Sequence, residues 1–307
     1  MEQHKDTILI TGGSGLVGTR LTELLLESGY LVKHLSTRQK DGVRVLDNGV
    51  HVYSWDPASH TMDSDALKDV RQIINLAGAS ISARWTKAYK ALIRSSRVDS
   101  LRTLYTALSG SDHRVDTLIS SSAVGFYPSL TDVVFEEDAE PDEGFLGRVC
   151  QEWEEEANRF KELGLRVALM RTGIVLSAKG GALPVIAKTV RWFVGAPLGP
   201  GNQVLPWVHI DDLSRMYMCA LAQPLEGPYN AVGLVGASNK SFTKAVARVL
   251  RRPVWPINVP ALVLRTILGE QATLVLMSSP SSPERMMKTG FTYRYTDLDI
   301  ALIDILI

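Results

Sequence analysis

The segment 7–18, TILITGGSGLVG, constrains the fold of this chain more than any other stretch. It opens with an apolar, β-branched run that predicts a buried strand, and the segment 19–29 that follows has helical periodicity and ends on a glycine. Between them, Gly12, Gly15 and Gly18 recur at three-residue spacing. A strand, a glycine-rich turn and a helix form a cradle whose backbone N–H groups face a pyrophosphate. An ordinary turn is the alternative, but this context predicts dinucleotide binding.

The residues after the second predicted strand, 31–36, indicate which dinucleotide is bound. NAD-binding chains place an Asp or Glu there to accept the ribose hydroxyls, whereas this chain has Thr37 and Arg38. No carboxylate repels a 2′-phosphate, and the Arg38 guanidinium is available to pair with one, unless it is only a solvated loop charge. We therefore expect NADP (NADPH) rather than NAD as the cofactor.

Two later segments supply further candidate cofactor contacts. A third predicted strand, 50–55, is followed by Asp56, which either reaches the adenine or only closes a turn with the next proline. A fourth predicted strand, 72–78, runs into Asn75-Leu-Ala-Gly, whose small residues let the backbone pass under a ribose. The candidates from these patterns are Thr11, Gly12, Gly13, Ser14, Gly15, Leu16, Val17, Gly18, Thr37, Arg38, Asp56, Leu76, Ala77 and Gly78.

The composition argues against several other classes of function. The 33 basic and 33 acidic residues cancel, so there is no electrostatic signature of nucleic-acid or anionic-membrane binding. Cys150 and Cys219 lack the spacing of a disulfide framework or a zinc site. The polar segment 1–6 and the lack of any membrane-length apolar run predict a cytoplasmic protein. We expect a small-molecule substrate, no nucleic acid, membrane or metal, and a monomer or homodimer.

Strands and helices alternate through residue 171, which predicts an α/β fold with a doubly wound parallel sheet of the Rossmann type. Beyond it, glycine- and proline-rich loops are typical of a cover over a site. We expect an NADP-binding domain formed by 1–172 plus 203–223. A smaller, discontinuous C-terminal α/β domain, 173–202 plus 224–307, would bind substrate or act as a lid.

Two polar features receive a structural interpretation. His209 with Asp211 and Asp212 offers metal-ligand side chains, but an aspartate that caps the helix predicted there is the better explanation. The long predicted helix 87–108 carries basic residues that include Arg97. We expect this basic face to be solvated while the apolar positions pack on the sheet.

Several motifs resemble those of the extended branch of the short-chain dehydrogenase/reductase superfamily, namely Thr-Gly-x-x-Gly-x-x-Gly at 11–18 and Asn-x-Ala-Gly at 75–78. More narrowly, the chain resembles the subfamily labelled nucleoside-diphosphate-sugar epimerase. Its marks are Arg84-Trp85, Ser95-Ser-Arg97, Ser122-Ala-x-Gly-x-Tyr127, Trp153-Glu154, Arg171-Thr-Gly-x-Val-Leu176 and Pro206-Trp-x-His-Ile-Asp-Asp212. The resemblance covers essentially the whole length, including a C-terminal domain of uncharacterised role, and adds Arg171 to the candidate cofactor contacts.

The resemblance also defines a catalytic problem. The resemblance implies that a Ser or Thr at the end of the fifth strand orients the substrate carbonyl and that a Tyr on the next helix donates or takes the proton. A Lys four residues later would lower the pKa of that Tyr and hold the nicotinamide ribose. Ser122 matches the serine, but the helical segment 145–160 contains neither Tyr nor Lys. Leu146 stands at the Tyr position and Cys150 at the Lys position. Because a Tyr with a pKa near 10 needs that cation to act near neutrality, the standard relay is absent.

Tyr127, in the loop after Ser122, is the expected substitute, either directly or through a bound water; packing against the acidic loop is the competing interpretation. Cys150 is either a thiol near the nicotinamide, and hence a candidate cofactor contact, or a small buried side chain. Two functions stay open. The first is an NADP-dependent oxidoreductase or epimerase acting on a small carbonyl or a nucleotide-sugar-like substrate, with Ser122 and Tyr127 catalytic. The alternative is an NADP-binding regulatory or sensor protein without turnover. We favour the first, because Ser122 and the loop-rich cover are retained.

Overall fold

The computed structural model describes residues 6–40 and 42–307, so the polar segment 1–5 lies outside the described residues. The strands are β1 (Thr7–Thr11), β2 (Leu31–Ser36), β3 (Arg44–Val45), β4 (His51–Asp56), β5 (Thr61–Met62), β6 (Val70–Asn75), β7 (Thr117–Ala123), β8 (Arg166–Thr172), β9 (Ile174–Leu176), β10 (Val204–Leu205), β11 (Trp207–His209), β12 (Gly227–Ala231) and β13 (Ala237–Ser238). The helices are α1 (Leu16–Glu27), α2 (Lys87–Ser109), α3 (Phe145–Asn158), α4 (Leu183–Arg191), α5 (Ile210–Ala222), α6 (Asn239–Val249), α7 (Ala261–Leu268), α8 (Thr273–Leu276), α9 (Glu284–Met287) and α10 (Leu298–Leu306).

One mainly parallel sheet organises the fold. Its strand order is β12-β8-β7-β6-β1-β2-β4-β3, with β5 paired to β4, and both β3 and β5 run antiparallel to β4. The chain passes outward from β1 to β2 and β4, then returns across β1 to β6, β7 and β8. This reversal is the topological switch at which doubly wound sheets bind ligands. The α/β fold with a Rossmann-type sheet is therefore confirmed.

The buried strand β1 explains how both faces of the sheet are covered. All five of its residues are buried, and its alternate side chains point to opposite faces. Ile8 and Ile10 pack in the core that includes α1 and α5, whereas Leu9 packs in the core that includes α2 and α3. A continuous apolar run is typical of a strand that is buried on both sides.

The C-terminal part builds its own core and also contributes to the sheet. A third cluster of buried residues joins α4, α6 and α10, with the small pairs β9–β11 and β10–β13 beside it. Strand β12 lies within the segment that we assigned to the lid, yet it pairs in parallel with β8 at the edge of the main sheet. The division into two domains stays a prediction.

The start of α5 differs from expectation. Its N-cap is His209, whose Nδ1 accepts a hydrogen bond from the Asp211 backbone N–H at 3.1 Å, so the expectation of an aspartate cap is wrong. The two aspartates instead lie in the first turn, where their charge is favourable. Asp211 pairs with Arg20, and Asp212 accepts the backbone N–H groups of Arg294 and Tyr295. These long-range bonds were not visible in the local pattern.

Candidate functional site

The turn between β1 and α1 requires glycine at two positions. Gly12 has φ +68°, and a Cβ there would lie 2.7 Å from the Leu76 carbonyl oxygen. A Cβ on Gly18 would lie 2.4 Å from the Gly12 carbonyl oxygen. Both distances are too short for a side chain, so glycine at 12 lets the segment after β6 lie against the turn, and glycine at 18 lets α1 approach it closely. The structure thus forms the strand–turn–helix cradle that the sequence predicts.

The N-terminus of α1 is free of side-chain acceptors. Gly15 is the N-cap residue, it makes no side-chain cap, and the first turn carries no acidic residue. Ser14 and Gly15 are exposed, while Leu16 and Val17 are partly buried. Because the first N–H groups of a helix have no intrahelical partner, they are available to an anion at this point. The arrangement fits a pyrophosphate.

Thr11 brings two predicted cofactor segments together rather than facing a ligand. The side chain is fully buried, and its Oγ1 donates to Asn75 Oδ1 at 2.7 Å. The same oxygen accepts the backbone N–H groups of Leu76 and Ala77, each at 3.2 Å. It therefore fixes the start of the segment after β6 directly beside the glycine turn. Gly78, which follows, is exposed.

A buried histidine that sequence reasoning missed forms the floor of the cradle. A Cβ on Gly13 would lie 2.5 Å from the His34 ring, so the glycine rests on the imidazole. His34 Nε2 lies 2.9 Å from Thr22 Oγ1, which itself donates to the Gly18 carbonyl. Nε2 must therefore carry the proton and donate to Thr22. Burial lowers the pKa of His34 to about 4, which keeps the ring neutral at physiological pH.

The residues predicted to bind the adenosine half lie at the carboxyl ends of β2 and β4. Thr37 and Arg38 are exposed, and no carboxylate among the described residues pairs with the Arg38 guanidinium. The exposed Asp56 accepts hydrogen bonds from Ser59 Oγ and the Ala58 N–H, at 2.9 and 3.0 Å, and both bonds lower its pKa. Asp56 therefore closes its own turn, as the simpler interpretation has it.

Ser122, at the end of β7, is hydrogen-bonded to a buried ion pair formed by Glu154 and Arg171. Its hydroxyl donates to Glu154 Oε1 at 2.6 Å, and only 2% of the residue is exposed. Arg171 grips both oxygens of the same carboxylate through Nε and Nη2, each at 2.8 Å. With its proton committed to Glu154, the Ser122 hydroxyl has only lone pairs left to offer.

Tyr127 lies in the same network. Its hydroxyl donates to Asn230 Oδ1 at 2.7 Å and accepts from Arg171 Nη1 at 3.0 Å, and its ring stacks on Phe135. The Asn230 backbone N–H in turn donates to Glu137. Burial raises the pKa of Tyr127 to about 12. We refer to Ser122, Tyr127, Glu137, Glu154, Arg171 and Asn230 as the Arg171 network.

Cys150, one turn before Glu154 on α3, is also enclosed. Only 4% of it is exposed, and burial raises the pKa of its thiol to about 12. The thiol is therefore uncharged, and it lies next to the loop that follows β7, where Gly125 is its neighbour. This environment is that of a small buried side chain.

Arg97 departs from the solvated position that we expected, so that expectation is wrong. The side chain is partly buried, and its Nη1 donates to the carbonyl oxygens of Ile93 and Ala79 at 2.8 and 3.2 Å. The guanidinium lies over the Trp153 ring, 5.1 Å from its centroid. A Cβ on Gly78 would lie 3.2 Å from Arg97 Cζ. The helical periodicity of α2 does not indicate that the Arg97 side chain lies beside Gly78, just after the carboxyl end of β6.

Comparison with known proteins identifies the family of this chain. The model of the NAD dependent epimerase/dehydratase family matches residues 8–236. The chain belongs to this family. A domain of unknown function, DUF1731, matches residues 259–305 of this epimerase/dehydratase family member. An epimerase family protein of Staphylococcus haemolyticus is 34% identical over 302 residues, covering 97% of this chain and 98% of the relative. One of Mycobacterium bovis is 34% identical over 298 residues, covering 96% of each.

Solved structures extend the comparison of this family member to three dimensions. Human epimerase family protein SDR39U1, crystallised with NADPH, has a TM-score of 0.86 and 28% identity, with 97% of this chain and 98% of that chain covered. The nucleoside-diphosphate sugar epimerase of Corynebacterium glutamicum has a TM-score of 0.78 and 31% identity, and the match covers 98% of this chain and 58% of that chain. UDP-glucuronic acid 4-epimerase of Bacillus cereus, at 16% identity and a TM-score of 0.79, shares the fold.

Two features that the described residues lack concern other classes of function. Across 6–40 and 42–307, no helix combines the length and apolar character needed to cross a membrane. Over the same ranges, no group of three or more His, Cys, Asp and Glu side chains is arranged to hold a metal ion.

Proposed function

We propose that this epimerase/dehydratase family member is an NADP(H)-dependent oxidoreductase or epimerase that acts on a small carbonyl or a nucleotide-sugar-like substrate. The observation that carries the proposal is the cradle, where the N-terminus of α1 has neither a side-chain cap nor an acidic first turn. A site of free donors beside glycines that no side chain can replace fits a pyrophosphate. The NADPH bound to the human relative supports the same cofactor here.

The choice of NADP(H) over NAD(H) rests on Arg38. Its guanidinium is exposed, has no carboxylate partner among the described residues, and follows β2 without an acidic neighbour at 36 or 37. A 2′-phosphate would gain a charge-assisted hydrogen bond there, worth about tenfold or more in affinity. The nicotinamide would then extend to the other side of the switch point, toward β6 and β7.

In this proposal Ser122 polarises the substrate carbonyl, and Tyr127 or a water supplies the proton. The cofactor would supply the hydride chemistry, and the protein would bind and orient it. Ser122 must then exchange its bond to Glu154 for one to substrate, and Tyr127 must give up its proton despite a pKa of about 12.

These two demands favour a second candidate function. Within the Arg171 network the Ser122 proton is bound by Glu154, and the Tyr127 hydroxyl both donates and accepts a hydrogen bond, which is what a protein that binds NADP(H) without turnover would show. Such a protein would act as a sensor or regulator whose conformation depends on whether NADP(H) is bound.

One experiment tests the cofactor and separates the two functions. Calorimetric titration with NADPH and NADH should show NADPH binding at least about tenfold more tightly, and an Arg38→Gln variant should lose that preference. Turnover is then followed as NADPH oxidation, and as epimerisation, against panels of carbonyls and sugar nucleotides. The enzyme hypothesis expects Ser122→Ala and Tyr127→Phe to abolish turnover.

The chain offers matched controls on the opposite face of β7. Ser121 and Tyr217 form a hydroxyl pair there at 2.5 Å, so Ser121→Ala and Tyr217→Phe remove the same atoms away from the candidate site. Tight NADPH binding without turnover on any panel member supports the sensor. A chain that binds neither coenzyme contradicts both functions.

A further inference from the structure

The unpaired cation at Arg97 points to a ligand contact that the motifs do not assign. Among the described residues no carboxylate pairs with it, and its two hydrogen bonds both use Nη1. The Nε and Nη2 groups therefore keep their donors free. Burial lowers the pKa of Arg97, yet a guanidinium keeps its charge in a protein. A partly buried cation without a counter-charge is unfavourable unless something else binds it.

The position of Arg97 in the sheet identifies the part of the ligand that it would contact. Gly78, beside the guanidinium, follows β6, whereas the glycine cradle follows β1 and Arg38 follows β2. In the order β2-β1-β6 the cradle lies between the two arginines. A dinucleotide whose pyrophosphate lies on the cradle and whose 2′-phosphate meets Arg38 must place its nicotinamide half toward Arg97.

The neighbouring residue on α3 strengthens this assignment. Arg97 and Cys150 are close enough that the cation lowers the pKa of the thiol, although burial outweighs the effect. The thiol itself is uncharged, so at this place the positive charge beside Gly78 comes from Arg97 on α2.

We propose that Arg97 is a positioning residue of the nicotinamide subsite, whose free Nε–H and Nη2–H groups donate to the hydroxyl oxygens of the nicotinamide ribose. This rests on the proposed cofactor function. The hydrogen bond to Ala79 and the contact with Trp153 hold the planar group in place, so that little side-chain freedom is lost on binding. Arg97 moves no proton here and only orients the cofactor.

Binding affinities for two probes test the proposal without any activity assay. NADPH carries both halves of the cofactor, whereas adenosine 2′,5′-bisphosphate lacks the nicotinamide ribose. We expect Arg97→Gln to weaken NADPH binding about tenfold and to change binding of the bisphosphate less than about twofold. Arg97→Lys, which restores the charge but not the paired Nε–H and Nη2–H donors, should recover only part of the loss. The emission of bound NADPH, which reports the nicotinamide environment, should shift in Arg97→Gln.

The matched control is Arg94→Gln, one turn earlier on α2, where the exposed guanidinium pairs with Glu152. It should leave both affinities unchanged. Equal weakening of both probes by Arg97→Gln, or no weakening, overturns the proposal and leaves the arginine a structural role. If the wild-type chain binds neither probe, the cofactor proposal fails, and that outcome is distinct from the failure of Arg97 alone.

Discussion

The glycine cradle after β1 and the Arg171 network around β7 lie at the carboxyl ends of strands separated only by β6, and they differ in hydrogen bonding. In the cradle the N-terminus of α1 has no side-chain acceptor. In the network the Ser122 hydroxyl donates to buried Glu154, and the Tyr127 hydroxyl donates to Asn230 and accepts from Arg171. Polar groups without a protein partner at the carboxyl ends of the strands are available to a ligand. Polar groups that already have buried partners stabilise the fold instead. The comparison therefore separates residues that bind from residues that support.

The largest expected effect comes from the network. In Glu154→Gln the Arg171 guanidinium loses its charged partner while buried, which should lower the free energy of unfolding by about 3–5 kcal/mol. The control is Glu156→Gln, whose partners Arg102 and Arg159 each have 43% of the side chain exposed, with an expected loss of less than about 1 kcal/mol. Urea unfolding measures both. If the two variants lose equal stability, the network is not a structural element and the comparison breaks down.

The second effect concerns the cradle. In Gly18→Ala the added Cβ would meet the Gly12 carbonyl at 2.4 Å, so α1 must move away from β1. We expect NADPH affinity to fall about 100-fold, or about 2.7 kcal/mol, measured by calorimetry. Gly110→Ala, at the end of α2, is the control, because its Cβ would meet an ordinary contact at 3.5 Å. Normal NADPH binding by the Gly18→Ala variant would show that the close approach is unnecessary.

These two regions also show what a sequence can predict. The cradle is local: strand, glycines and helix lie within 7–29, and their spacing alone specifies the geometry. The network depends on contacts between distant residues, such as the bond from Tyr127 to Asn230, 103 positions away. The sequence predicts that Ser122 and Tyr127 lie at the carboxyl end of a strand, and they do lie at the end of β7 and just after it. No local sequence pattern shows that Glu154 and Arg171 contact them.

Two further differences have the same origin. An aspartate is a better helix cap than histidine in local preference, yet tertiary bonds from Arg294 and Tyr295 engage Asp212 and leave the cap of α5 to His209. Arg97 looked like one more surface charge, because helical periodicity does not reveal that it turns under Gly78.

The smallest of the expected effects is a pH dependence of the free energy of unfolding. It depends on His34 beneath the cradle and not on the Arg171 network. His34 has a pKa of about 4 in the folded chain and about 6.5 when unfolded, so below pH 6.5 the unfolded state binds more protons. Stability is full above pH 6.5 and falls as the pH drops toward 4. Between pH 7 and 5 the loss attributable to His34 is about 2 kcal/mol. The Tyr127 pKa of about 12 lies far outside this window.

The measurement is the free energy of unfolding at pH 7 and 5 for the wild type and for His34→Gln, which can still donate to Thr22 Oγ1 but does not titrate. Burial lowers the pKa of His209 as well, so only the difference between the two chains isolates His34. The variant should lose less stability by about 2 kcal/mol. Parallel pH curves for the two chains would mean that the imidazole under the cradle is not held neutral, and the floor of the site would have to be assigned differently.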